Sequence, residues 1–191
     1  MTTILVTGGI GSGKSAVCRY MESKGIPVYD SDSRARSLYD RVPGLAARVN
    51  ESLGGGFLHP DGTIDRKKLA SAVFSDSVLL SRLESIVHPE VLSDFVAWRS
   101  SFQDREYVVM ESAIALGLPE YRPLFDRVIL VDAPEEIRLD RACRRDSSSR
   151  EAIAARMSCQ DFDMASVDDV VVNDSDLETL YSRVDALLEK M

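Results

Sequence analysis

Short uninterrupted apolar runs punctuate the chain. Ile4-Leu5-Val6 closing on Thr7, Tyr107-Val108-Val109-Met110, Val128-Ile129-Leu130-Val131 and Val170-Val171-Val172 are too short for buried helices and rich in β-branched residues. Such runs predict strands covered on both faces, as in a parallel sheet. Pro27-Val28-Tyr29 supplies a fifth strand. Between the first two strands, Val17, Cys18 and Met21 recur at helical spacing, which predicts a helix over 14–24 ending at Gly25. Ser31 or Ser33 is placed to cap a helix running toward Tyr39. At the far end, Leu177, Leu180, Tyr181, Val184, Leu187 and Leu188 form one apolar stripe, so a helix over 177–188 is expected. Strand, glycine loop, helix, strand is the opening of a right-handed βαβ unit.

Residues 44–103 break this rhythm. No strand pattern appears there, and helical patterns cover 45–53, 66–74, 77–87 and 89–102, interrupted by Gly54-Gly55-Gly56 and Pro60-Asp61-Gly62. The expected architecture is an α/β, three-layer fold with a five-stranded parallel sheet. Its core is 1–43 and 104–191, and the insertion at 44–103 is mostly helical.

Composition narrows the field. The 191 residues carry a net charge of −8, which argues against a protein that coats nucleic acid, because phosphate backbones select clustered Lys and Arg. Net acidity bears on solubility, not on assembly. No apolar run reaches membrane-spanning length. The start Met1-Thr2-Thr3-Ile4 has neither a basic segment nor a long apolar one, so no signal peptide is expected. Three cysteines without a CxxC pair read as reduced thiols, and the expected location is the cytoplasm.

The chemistry begins between the first strand and its helix. Gly8-Gly9-Ile10-Gly11-Ser12-Gly13-Lys14-Ser15 satisfies G-x-x-x-x-G-K-[ST] at every fixed position. Glycines let successive backbone N–H groups converge, and the helix start adds its own, making an anion nest. Lys14 would reach the β- and γ-phosphates of ATP, and the Ser15 hydroxyl would coordinate Mg²⁺. No Asn-Lys-x-Asp stretch favours guanine, and the chain is short for a motor.

A phosphotransferase also needs an acceptor-orienting group and further cations. Asp30-Ser31-Asp32 follows the second strand, at the carboxyl end where parallel sheets bind ligands. Asp32 can take a proton from an acceptor hydroxyl, hold water on the metal, or simply cap the next helix. Arg138, Arg141, Arg144, Arg145 and Arg150 fall within thirteen residues, and 138, 141 and 145 share a helical face. The polar stretch that follows suits a lid over about 144–156, although a solvated face is the usual meaning of a charge run. Glu111 ends an apolar strand and can reach Mg²⁺ through water. His88, one of two histidines, reads by itself as structural.

These residues, in order, resemble the dephospho-CoA kinase family. The resemblance rests on the loop from Thr7 to Ser15, Gly25-Ile26-Pro27-Val28-Tyr29-Asp30-Ser31-Asp32, Asp61-Gly62-Thr63-Ile64-Asp65-Arg66 and Ile86-Val87-His88-Pro89. Ala133-Pro134-Glu135-Glu136, Arg141, Arg145-Asp146, Arg150, Arg156, Gln160 and Asn173 continue it, so it spans nearly the whole chain. It implies a nucleoside-kinase-like core with a helical CoA-binding insertion and a lid. It also implies transfer of the ATP γ-phosphoryl group to the 3′-hydroxyl of dephospho-CoA. By position it implies Asp32 as the base or orienting carboxylate, with Lys14, Arg141 and Arg145 as the other catalytic residues. ATP would be held by Gly9, Gly11, Ser12, Gly13, Lys14, Ser15, Ala16, Arg145 and Asn173, with Arg150 adding to the lid. Asp32 and His88 would serve the acceptor, and Ser15 the Mg²⁺ ion. One stretch departs from the family's Asp-x-Pro-Leu-Leu-x-Glu: Glu111, Ala113 and Gly117 stand where Asp, Pro and Glu are usual. The alternatives are another small-metabolite kinase of this fold, acting on shikimate, gluconate or a nucleoside monophosphate, or a nucleotide-binding module without acceptor chemistry.

Overall fold

The structure, a computed structural model, describes residues 1–160 and 162–191. It divides into two compact units, Met1–Asp30 with Phe102–Met191, and Ser31–Ser101.

In the first unit all five expected strands form, as β1 (Thr2–Thr7), β2 (Val28–Asp30), β3 (Tyr107–Glu111), β4 (Arg127–Asp132) and β5 (Asp169–Val172). They make one parallel sheet in the order β2-β3-β1-β4-β5. One face, carrying Ile4, Val6, Val109, Ile129, Val131 and Val171, packs against α1 (Lys14–Ser23) and α8 (Leu177–Leu188) through Val17, Met21, Leu180 and Val184. Leu5, Val108, Met110 and Val128, which alternate with these residues, are fully buried as well. That two-sided burial explains why the strands lack polar alternation. The register brings Asp30 beside Glu111 and Val6 beside Glu111, so the carboxyl ends of β1, β2 and β3 lie level.

The remaining α-helices of this unit among the described residues are α6 (Glu135–Asp146) and α7 (Arg150–Ser158). The second was expected as a polar lid stretch. It is a helix because the Ser149 hydroxyl caps its start by accepting from Ala152 N, and because Ile153 and Met157, one turn apart, bury against Leu139 and Ala142 of α6.

The second unit holds α2 (Ser31–Arg41), α3 (Leu45–Ser52), α4 (Arg66–Ser75) and α5 (Ser77–Ser100). Its first helix lies ahead of the expected boundary at 44. Within the unit, Arg41 of α2 pairs with Asp94 of α5 at 2.7 Å, and Arg48 of α3 with Glu90. One expectation fails here: residues 77–100 form a single helix, not two broken at His88-Pro89. Proline costs a hydrogen bond and crowds the preceding turn. The buried stripe Val87, Val91, Phe95 nonetheless runs through Pro89 without a break, and Asp76 caps the start by accepting from Val78 N and Leu79 N. Tertiary burial outweighs the local penalty.

Candidate active site

The loop between β1 and α1 is shaped by what presses on it. Gly11 has φ +76° and Gly13 φ +100°, in the left-handed region. A Cβ on Gly11 would land on the Arg138 carbonyl oxygen, and one on Gly13 on the Asn173 side-chain amide. Both positions therefore need glycine twice over, for backbone angle and for close approach. Gly11→Ala is expected to destabilise the protein by at least about 1–2 kcal/mol, the cost of the left-handed angle before any clash. An unchanged denaturation midpoint would contradict that packing.

Gly13 ends the loop, and no side chain caps α1. The uncapped first-turn N–H groups and the positive end of the helix dipole leave an anion seat there. The Lys14 ammonium curls back over the loop and donates to Gly8 O at 2.9 Å and Gly9 O at 3.3 Å. Lys14, Ser15 and Ala16 line one cavity of about 260 Å³ with Gly11, Gly13, Arg19, Arg141, Ala142 and Arg145. Four of its lining residues are cations and none is an acid. In a chain of net charge −8, that is a local inversion of sign, and it selects an anion.

Arg19 was not foreseen. It lies one helical turn beyond Ser15, so the signal was a cation at i+4 from the loop's hydroxyl. Arg141 is held by the end of β5, donating to Asn173 O at 3.0 Å and Asn173 Oδ1 at 3.3 Å. The Asn173 amide nitrogen donates to Ser12 O at 2.8 Å. Asn173, expected to bind ATP, is buried and braces the loop and Arg141. Ser12 is likewise buried, its N–H donating to Gly9 O and its hydroxyl without a partner among the described residues. Gly9 lies against the Arg138 guanidinium. None of these three lines the cavity.

The lid arginines divide. Arg145 lines the cavity and donates to Asp146 at 2.7 Å, and Arg156 donates to the same carboxylate at 2.8 Å. Those two guanidinium groups hold the Asp146 carboxyl down at about 2. Arg150 faces back toward Glu136 and Asp140 of α6 and does not line the cavity. Such exposed pairs contribute at most about 1 kcal/mol each, so they are easily exchanged for phosphate.

On the other side of Ser15, its hydroxyl donates to Glu111 Oε1 at 2.7 Å. The Glu111 side chain thus reaches Ser15 directly. Burial raises the Glu111 carboxyl above its ordinary value, opposed by the Ser15 hydrogen bond and reinforced by Asp30. A hydroxyl and a carboxylate in contact beside the anion seat fit Mg²⁺, which takes one or two protein oxygens and completes its shell with water and phosphate. No cluster of three or more His, Cys, Asp or Glu among the described residues would hold a metal unaided. Just past Glu111, the buried Ser112 hydroxyl accepts from Ala115 N at 3.2 Å, turning the departed stretch into a 3₁₀ turn at Ala115–Gly117. Asp32 and His88 belong to the second unit: Asp32 in the first turn of α2, His88 half-buried midway along α5. No helix is long and apolar enough to cross a membrane among the described residues.

Comparison with known proteins agrees with this geometry. The profile of the dephospho-CoA kinase family matches residues 2–179. A dephospho-CoA kinase of Porphyromonas gingivalis is 45% identical over 177 residues, covering 91% of this chain and 86% of that protein. One from Burkholderia lata is 34% identical, covering 100% and 96%. A crystal structure from Thermus thermophilus superposes with a TM-score of 0.79 at 32% identity, covering 100% of this chain and 97% of that one. A shikimate kinase of Acinetobacter baumannii, at 13% identity and a TM-score of 0.57, shares the fold alone. The cationic cavity, the phosphate loop and the match along nearly the full length converge: this chain belongs to the dephospho-CoA kinase family.

Proposed function

We propose that the cavity over Lys14 and Ser15 seats the ATP phosphates, and that the γ-phosphoryl group passes from there to the 3′-hydroxyl of dephospho-CoA, giving coenzyme A and ADP. The carrying observation is the cavity itself, which Lys14, Arg19, Arg141 and Arg145 line with no acidic residue among the lining, Asp146 pairing with Arg145 from outside it. Phosphoryl transfer asks mainly for positioning and for neutralisation of spreading negative charge. Lys14 and the α1 amides hold the β- and γ-oxygens. Arg145, released from Asp146, and Arg141 lie on the flank where charge builds. Ser15, with Glu111 through water, would hold Mg²⁺, which when bound would supply positive charge to offset that of the phosphates. Asp32 orients the 3′-hydroxyl and takes its proton, and His88 stands on the acceptor side. The three free thiols suit a reducing compartment, and the cytoplasm is the proposed location.

The test is an ADP-release assay with ATP and Mg²⁺ against dephospho-CoA, shikimate, gluconate, AMP, CMP and no acceptor. Release is expected with dephospho-CoA alone. Turnover driven by another acceptor, or equal without any, would overturn the reading.

A further inference from the structure

The tip of the phosphate loop is Ile10, and all three of its groups are committed to the helical hairpin α6–α7. Its N–H donates to Gln160 Oε1 at 2.7 Å. Its carbonyl accepts from Arg138 Nε at 3.2 Å. Its side chain packs on the cluster of Leu139, Ala142, Ile153 and Met157. On either side, Gly9 and Gly11 lie flat against Arg138, whose guanidinium and carbonyl occupy the space a Cβ would need. Gln160 itself follows α7 directly, its N–H donating to Met157 O. The loop is thus gripped from the first half of α6 and from the end of α7.

The chemistry of that grip is specific. An anion nest works because amides point at the ligand. The Ile10 amide is turned away and satisfied by a neutral carboxamide oxygen, which fixes the peptide plane at the tip. Each residue adds two soft torsions, so this bond does not dictate the amides that follow; it removes conformational freedom at the tip, between the glycines that shape the loop.

We propose that Gln160 is a positioning residue for ATP: it latches Ile10 to the α6–α7 hairpin and holds the phosphate loop in its binding shape before nucleotide arrives. Residues 138–160 then act less as a free lid than as a buttress carrying Arg141 and Arg145 with it.

The inference rests on the loop being the ATP phosphate seat, and the experiment separates the two claims. Gln160→Met keeps length and bulk but offers no oxygen acceptor, whereas Gln160→Glu keeps one. Loss of one hydrogen bond predicts an ATP Kd raised about three- to tenfold in Gln160→Met, with the KM for dephospho-CoA unchanged. Gln160→Glu should restore ATP affinity to within about twofold of wild type, as expected for a retained acceptor. Amide hydrogen exchange at Ile10 should be slow in wild type and in Gln160→Glu, and faster in Gln160→Met. Wild-type ATP affinity in Gln160→Met would overturn the latch. So would equal impairment of both variants, or a parallel loss of both substrates' affinities with thermal stability, since mere packing would do that. Lys14→Met is the control: if it binds ATP normally, the seat itself is misassigned, and if it binds weakly while Gln160→Met is silent, only the latch fails.

Discussion

Lys14→Met is expected to lower kcat/KM for ATP by at least about a hundredfold, the scale for removing one preorganised charge stabiliser. The side chain begins at the first residue of α1, and its ammonium sits 2.9 Å from Gly8 O, poised over the loop. Methionine preserves the unbranched stem and most of its packing, so the loss isolates the charge. Part of the effect should appear as weaker ATP binding, because the ground-state phosphates already carry negative charge. A further part should appear in kcat, because charge on the transferring group shifts during the reaction. Equilibrium binding and steady-state kinetics together apportion it. Turnover within about threefold of wild type would remove Lys14 from the phosphate site, being far less than the expected loss.

The second large effect is at the acceptor. Asp32→Asn should reduce kcat by roughly 10²–10⁴ while leaving ATP affinity intact, the range for loss of a general base. Shape is conserved and only the proton acceptor disappears. Asp32 also lies in the first turn of α2, where a carboxylate favours the helix by about 0.3–1 kcal/mol. A modest loss of thermal stability is therefore expected and should be measured separately. If ATP affinity falls and kcat does not, Asp32 binds nucleotide and another group serves the hydroxyl.

Legibility along this chain followed locality. The strands declared themselves because two-sided burial leaves continuous apolar runs, and β1, β3 and β4 appear within two residues of where those runs lie. The phosphate loop was readable because its chemistry is compressed into eight consecutive residues. The unbroken α5 was not, since a proline is a local signal and the stripe Val87, Val91, Phe95 that overrides it works only once packed. The helix α7 hid for a similar reason. Serines 147–149 resemble a loop, yet Ser149 is a cap, and Ile153 with Met157 is too short a stripe to stand out. Least legible were partnerships across great sequence distance. Ile10 with Gln160, Ser12 with Asn173 and Ser15 with Glu111 join positions 150, 161 and 96 residues apart. A motif reading names the loop and says nothing of what holds it. Asn173, which the resemblance assigns to ATP, is one such support: its amide donates to Ser12 O and its side-chain oxygen accepts from Arg141.

That bracing has a consequence for how the protein is made. The loop at residues 8–15 is synthesised well before the side chain that supports its Ser12 carbonyl, at residue 173. Until β5 has emerged and joined the sheet beside β4, Arg141 also lacks its anchor. The chain must be made through residue 173 before the cationic cavity has these braces, so ligand capture there comes only after all five strands of the sheet have been synthesised.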